Sequence, residues 1–371
     1  MRLMRLLCCF VVAMFSSSIF AALPAPTGFT KGAKFTVKGY TGNETLSDFP
    51  VLVCISNNAP VGFTYVAVQN ASAADKNAID LAFVDMDGNG LPFEIDTWNT
   101  SGMSLIWVQL QTMTNGTEFV MCWGSVSSGK VVCNDNPFSN YVGVWHMSEQ
   151  RGTVADSSGH GLAATPSGTS AEGLSLAGIG TVGNGRQCAT NAYLSIANAA
   201  ALDIGASFSI SGWFDMSSSQ PSGDVRFFSR KIRNQSTNSG WEVIRKGAAI
   251  AVRGANGDNI ASYAPEQSFA GAGWKHLFIV YDGRTATIYE NGVQKAPATA
   301  GTAPADNDNS LSIGSYSGGG RPTLSAASTS AVCSKQLLRR TGRRRNTTAL
   351  PTPSSCWLMR RNPTARSSTF Q

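Results

Sequence analysis

The residues best able to do chemistry are the oxygen donors gathered between Asp85 and Asp96. Asp85-x-Asp87-x-Asn89-Gly90, with Asp96 at the twelfth position, imitates a calcium loop. A hard cation takes oxygen ligands at alternate positions, and a Gly allows the sharp turn between them. The twelfth residue is Asp where Glu normally gives bidentate reach, and no helical pattern flanks the loop. The same Asp-Gly-Asn-Gly stretch reads as a tight turn between strands, and the turn reading outweighs the calcium one. Glu94-Ile-Asp96 is a second acidic constellation. Retaining glycoside hydrolysis needs two carboxylates about 5 Å apart. The positions that follow are Thr97, Trp98 and Asn99, so a second catalytic carboxylate is missing and no catalytic residue is assigned.

His146, His160 and His276 are the three histidines, too scattered to suggest a metal triad. His146 lies in a strand-like run and reads as a packed side chain. The sequence has neither a Gly-x-Ser-x-Gly elbow nor a phosphate loop. Trp98, Trp107, Trp123, Trp145, Trp213, Trp241 and Trp274 have faces on which a sugar ring can stack. Most fall in strand interiors, where core packing is the expected role.

The elements that must position these residues are strands. Of 371 residues, 42% are hydrophobic, 14% charged and 38 are Gly, a composition that excludes disorder and coiled coil. Phe49–Ile55, Ile79–Val84, Leu91–Trp98, Ser104–Leu110 and Thr117–Trp123 read as strands, with Asn115-Gly116 as a hairpin turn between the last two. A second set begins at Tyr141 and recurs to Ile313, with Asp282-Gly283 and Asn291-Gly292 at hairpin spacing. The fold class expected is all-β with two β-sandwich domains and a disordered C-terminal tail. The boundaries read as a signal peptide over 1–22, a sandwich over 23–133, a polar linker over 134–140, a second sandwich over 141–322 and an unstructured basic tail over 323–371.

Arg2 and Arg5, the apolar run Leu6 to Phe15 and the small residues to Ala22 form the expected secretion signal. The run is short of the roughly 20 residues that span a bilayer, so no membrane span is expected after signal removal. The compartment expected from such a segment is extracellular or the cell envelope. The formal charge of +6 comes from arginines between Arg339 and Arg366, which leaves the body close to neutral and gives no case for nucleic acid. Export permits disulfides, but Cys54, Cys122, Cys133 and Cys188 match no metal spacing, and their pairing stays open.

Two resemblances cover most of the mature chain. Asp48-Phe-Pro-Val-Leu-Val53, Asp80-Leu-Ala-Phe83, Asp85-Met-Asp-Gly88, Leu91–Asn99, Ile106-Trp-Val108 and Met121-Cys-Trp-Gly124 resemble the DUF2341 family of bacterial secreted modules. Val144–Glu149, Asp156–Gly159, Phe208–Phe214, Trp274–Gly283, Tyr289–Gly292 and Leu311–Gly314 resemble a laminin-G-like, concanavalin-type jelly roll. Laminarinase-like glycosidases share that fold and carry a Glu-x-Asp strand, but here Glu94-Ile-Asp96 lies in the other domain. The second resemblance implies a jelly-roll calcium site to which Glu149, Asp156 and the Asp306-Asn-Asp-Asn309 loop contribute oxygens. It also implies non-catalytic binding of a glycan or an extracellular protein. The alternatives are a structural or adhesive envelope component without a small ligand and, more weakly, a glycoside hydrolase or its accessory module.

The chain departs from the second family at its end, where a closing strand of the type F-x-G-x-I-D-E-x-R is expected. Read one base earlier, Leu324–Ser330 can encode F-x-G-I-D-E, and Cys333–Arg343 can encode F-K-A-A-P-S-A-D-W. The resemblance therefore implies a single-base deletion near codons 318–323 that puts Thr323 to Gln371 out of frame. The competing reading is a genuine basic tail that binds anionic polymer. Sequencing the gene across codons 310–345 decides between them: one additional base restores the family's closing segment, whereas an uninterrupted frame leaves the basic tail as the product.

Overall fold

The computed structural model describes residues 10–12, 23, 24, 26, 28–68, 80–125, 135–168, 176–179, 182–188, 192–203, 207–215, 224–231, 240–246, 249–254, 259–263, 273–295, 299–300, 308–315 and 327–334. Among them the fold is all-β, with single turns of 3-10 helix at Tyr65–Ala67 and Ala200–Leu202. No helix is long and apolar enough to cross a membrane among the described residues.

The first sandwich comprises β1 (Phe10–Val12), β2 (Phe29–Lys38), β3 (Leu46–Ile55), β4 (Leu81–Asp85), β5 (Phe93–Thr97), β6 (Ser104–Met113) and β7 (Glu118–Ser125). One sheet has the order β1-β2-β7-β4 and the other β3-β6-β5. Period-two alternation directs Val51, Val53 and Ile55 of β3 and Ile106, Val108 and Leu110 of β6 inward, against Phe35, Phe83, Phe119 and Met121 of the facing sheet. The aromatic pairs Phe35–Phe119 and Phe63–Trp123 have centroids 5.4 and 5.5 Å apart and fill the centre. β1, inside the segment read as a signal, lies antiparallel along Thr36–Lys38 of β2, and residues 13–22 lie outside the described residues.

The second sandwich begins with β8 (Tyr141–Trp145), β9 (Ala164–Ser167), β10 (Leu176–Ile179), β11 (Asn184–Gln187), β12 (Tyr193–Ile196), β13 (Phe208–Asp215), β14 (Val225–Ser229) and β15 (Glu242–Lys246). It continues with β16 (Ala249–Arg253), β17 (Asn259–Tyr263), β18 (Trp274–Tyr281), β19 (Thr285–Glu290), β20 (Val293–Gln294), β21 (Thr299–Ala300), β22 (Leu311–Ile313) and β23 (Ala327–Ser334). A nine-stranded sheet runs β10-β11-β23-β13-β18-β19-β20, with β21 on β19 and β8 on β23; it faces a seven-stranded sheet, β17-β16-β15-β14-β22-β12-β9. Trp145, Phe208, Phe214, Phe227, Trp241 and Tyr281 anchor the core between them. Arg230, 1% exposed, pins the loops at one end of this core. Its guanidinium donates to Leu202 O, Asn198 Oδ1 and Asn309 O. Asn309 of the expected calcium loop is therefore held by an arginine, while Asp306 and Asn307 lie outside the described residues.

Three expectations change. Asn115-Gly116 does not close a hairpin: β6 pairs with β3 and β5, β7 pairs with β2 and β4, and the turn carries the chain from one sheet to the other. Turn chemistry sets the local bend, while the partners of the flanking strands are chosen by long-range packing. The linker at 134–140 is not a loose polar tether. Phe138 is buried, Asn136 caps its amide, and Gln109 Nε2 of β6 donates to Pro137 O at 3.1 Å. Third, the segment from 323 is not wholly unstructured, and the second sandwich does not stop at 322. β23 lies between β8 and β13 and also pairs with β11. β8 joins its sheet through β23, so the unpaired N–H and C=O groups along β8 and β13 demand a strand there. Residues 335–371, with most of the arginines, lie outside the described residues.

Because β23 is bonded on both sides, a Val332→Pro substitution removes a ladder hydrogen bond at the centre of the sheet. It is expected to destabilise the second sandwich by about 3 kcal/mol, measured by urea unfolding. An unchanged midpoint would show that the strand does not contribute.

Candidate functional site

The acidic strand β5 places Ile95 in the core of the first sandwich and turns Glu94 and Asp96 to the opposite face. That face is not open to solvent. Leu52, Leu105 and Trp107 of the same sheet pack there against Phe138, Tyr141, Val144 and Val182 of the linker and second sandwich, with Cys54 and Trp213 at the margin. The two acids are thus enclosed in the joint between the sandwiches. Trp107 Nε1 donates to Asp96 Oδ2 at 3.1 Å, and Thr97 Oγ1 to Asp96 Oδ1 at 3.0 Å. Ser157 Oγ of the second sandwich donates to Glu94 Oε1 at 2.7 Å. Gly183, at φ +62, brings its loop so close that a Cβ would lie 3.0 Å from Asp96 Oδ1.

His146 follows β8 and enters the same joint. Its ring is stacked on Trp107 (centroids 5.9 Å apart, planes at 19°) and flanked by Phe138 at 5.3 Å. Nδ1 lies 3.3 Å from Asp96 Oδ2 and Nε2 lies 3.9 Å from Glu94 Oε1, and neither nitrogen has an aligned hydrogen-bond partner. The imidazole therefore stands between two carboxylates, one on each nitrogen, an arrangement that does not converge on a metal ion. Among the described residues, no group of three His, Cys, Asp or Glu side chains is disposed to hold a metal.

The remaining sequence candidates are dispersed. Asp85 organises its own turn, Oδ1 accepting from the amides of Asp87 and Asn89 and Oδ2 from Asn89 Nδ2. Asp96, twelfth in the expected loop, is on the other sheet and faces the joint, so the structure does not bring it to Asp85. Partial burial raises the Asp85 carboxyl, but the bonds from Asn89, Asp87 and Gly88 outweigh this and hold it below its ordinary value. Asp156 is also saturated: Val144 N and Ser158 N donate to Oδ1, and Leu162 N and Ser158 Oγ to Oδ2. Glu149 Oε1 accepts from Ala155 N, and its charge partly offsets the burial that disfavours the Arg186 cation. These carboxylates hold together the loop between β8 and β9.

Of the other titratable groups, His276 is buried beside Trp213, and burial pushes it down to about 3, so it is neutral at ordinary pH. Cys122 and Cys188 are free thiols, and burial pushes both up to about 12. Cys133 lies outside the described residues.

One cluster escaped the sequence reading. On the side of the seven-stranded sheet away from the core, Glu242 Oε2 accepts from Arg226 Nε and Glu242 Oε1 from Arg253 Nη1, both at 3.1 Å. Arg253 Nη1 also lies 3.1 Å from Asp224 Oδ2, and Arg226 Nη1 donates to Asp224 O at 2.7 Å. Glu242 and Arg253 are cross-strand partners. Solvent reaches the rim of the network, where the Arg253 and Asp224 side chains are 13% and 29% exposed. The signal was present in the sequence as Asp224-Val-Arg226 and Glu242-Val-Ile-Arg245, charges inserted in otherwise apolar strand runs.

Residues 189–337, less than half of the chain, match the family described as the concanavalin A-like lectin/glucanases superfamily. The match lies wholly within the second sandwich and includes β23. No curated protein matches the chain. Among solved structures, domain 4 of AbnA, a GH43 extracellular arabinanase from Geobacillus stearothermophilus in complex with arabinotriose, is 17% identical; the alignment covers 53% of this chain and 92% of that one, at a TM-score of 0.40. The binding domain of Paraclostridial Mosquitocidal Protein 1 is 14% identical, covering 53% and 49%, also at 0.40. Trypanosoma rangeli sialidase is 13% identical, covering 69% and 42%, at 0.38. The chain thus spans about half or less of the last two proteins.

The Asp85 turn gives a signed expectation. A carboxyl held below its ordinary value contributes stability that is present above the unfolded value and lost as pH falls through the folded one. Asp85→Ala is expected to lower stability by about 1 kcal/mol near neutral pH. The gap from the parent protein should close on acidification, as followed by denaturant titration at several pH values.

Proposed function

We propose that the protein is a non-catalytic binding protein of the cell surface or secreted space, and that its second sandwich takes a carbohydrate or a sugar-bearing extracellular protein. The observation that carries this reading is the ion-paired network Asp224–Arg253–Glu242–Arg226 on the outward side of the seven-stranded sheet. Sugar hydroxyls are recognised by fixed charged donors and acceptors, and Arg and Glu side chains held by one another are pre-organised for that task. The concanavalin A-like match over 189–337 supports a binding module in the same domain. The acid pair Glu94 and Asp96 supports the non-catalytic side of the reading, since it is enclosed in the joint rather than presented to a substrate.

Export by the N-terminal segment and help from calcium belong to the same proposal. A polysaccharide array probed with the full chain, with and without a chelator, tests it. Binding to a defined glycan is expected, weakened about tenfold or more by Arg253→Ala. Loss of binding on chelation would add calcium to the site. No glycan retained on the array would leave the structural or adhesive alternative, and release of reducing ends would establish the hydrolase instead.

A further inference from the structure

We propose that Asp96, His146 and Glu94 form a proton-sensitive latch between the two sandwiches, tight when the imidazole is protonated and loosened when it is not. Asp96 and Glu94 come from β5 of the first sandwich and His146 from the end of β8 in the second, so any proton they share lies across the joint. The Asp96 side chain is 0% exposed and that of His146 6%. Asp96 accepts two hydrogen bonds, from the Trp107 indole and the Thr97 hydroxyl, and both donors are neutral. Among the described residues, the one cationic partner at ion-pair distance from Asp96 is His146. An ionised carboxylate in such a place is costly unless a counter-charge joins it.

The elements packed on the imidazole bring both charged and neutral groups to it. β5 brings Glu94 and Asp96. β6 brings Trp107 and the linker brings Phe138, neither of which titrates. Tyr141 of β8, packed on Phe138, has its phenol pushed above its ordinary range by burial and stays neutral. The loop between β8 and β9 brings the Ser157 hydroxyl to Glu94, and the turn before β11 brings Val182 and Gly183 against the same face. The protonated ring has an N–H for each carboxylate and a charge that both favour. The neutral ring has a single N–H and no charge to offer the buried Asp96 carboxylate. Coupling of the domains is therefore greatest where the imidazole is charged and the carboxylates are still ionised. It weakens when the imidazole loses its proton, and again when the carboxylates gain theirs.

The test is differential scanning calorimetry of the full chain across the pH range in which the fold persists, reading the separation between the unfolding transitions of the two sandwiches. In the parent protein the transitions should coincide on the acid side and separate as pH rises. His146→Gln and Asp96→Asn should each abolish that change, leaving a separation independent of pH. His276→Gln, which alters a buried imidazole already neutral at ordinary pH, should keep it. If His146→Gln folds poorly, Asp96→Asn alone carries the comparison, since asparagine keeps an acceptor for Trp107. A pH-independent separation in the parent, or an unchanged pH response in either joint variant, overturns the latch.

Discussion

The fold depends on one constraint, the burial of both faces of the sheet β3-β6-β5. A sheet in a free-standing sandwich turns one face to the core and the other to water, and its strands alternate accordingly. β6 does not alternate: Ile106, Val108 and Leu110 fill the first core, while Leu105 and Trp107 on the other face fill the joint. β3 repeats the pattern with Val51 and Val53 inside and Leu52 outside. Burying an aromatic of this size stabilises by about 3 kcal/mol relative to a truncated side chain. The second sandwich thus covers an apolar face of the first, and Phe138 makes the linker a component of the packing.

The second constraint is the demand of a closed sheet for its central strand. β8 and β13 each have a row of backbone groups directed at the space between them, and β23 occupies it in antiparallel register with both. Backbone pairing is indifferent to side-chain identity in a way that core packing is not. A segment of small and polar residues, Ala-Ser-Thr-Ser-Ala-Val-Cys-Ser, can therefore serve where a more apolar strand would be expected. The register shift opposite Gly212 and Trp213 is the local irregularity with which it is accommodated.

What was legible in the sequence was local. Turn residues and alternation delimited most strands, and the burial of Trp107 and Trp123 follows from their placement in strand interiors. What was not legible depends on contacts distant in sequence. Asn115-Gly116 has the chemistry of a hairpin turn, and nothing near it says that β6 and β7 belong to different sheets. The partner of Asp96 is His146, fifty positions on, and only the closing of the two sandwiches brings them together. The unbroken apolar runs of β3 and β6 were the available sign of two-faced burial, since a half-exposed strand has no reason to be apolar at consecutive positions.

The two charged clusters of the molecule differ in what holds them, and this assigns them different work. Around Arg226 and Glu242 opposite charges meet on one sheet, with Arg226 and Arg253 paired to Glu242 and Asp224 and the Arg245 cation also feeling the Asp224 charge. Each acid of that cluster faces guanidinium groups, and solvent reaches the Arg253 and Asp224 side chains at its rim. In the joint Asp96 and Glu94 of one sandwich face the His146 imidazole of the other. Neutral donors also serve the two acids there, Trp107 to Asp96 and Ser157 to Glu94. The outward network thus joins strands of one sheet, while the joint sets its ionisable groups across two sandwiches, where a proton can bear on how they are held together.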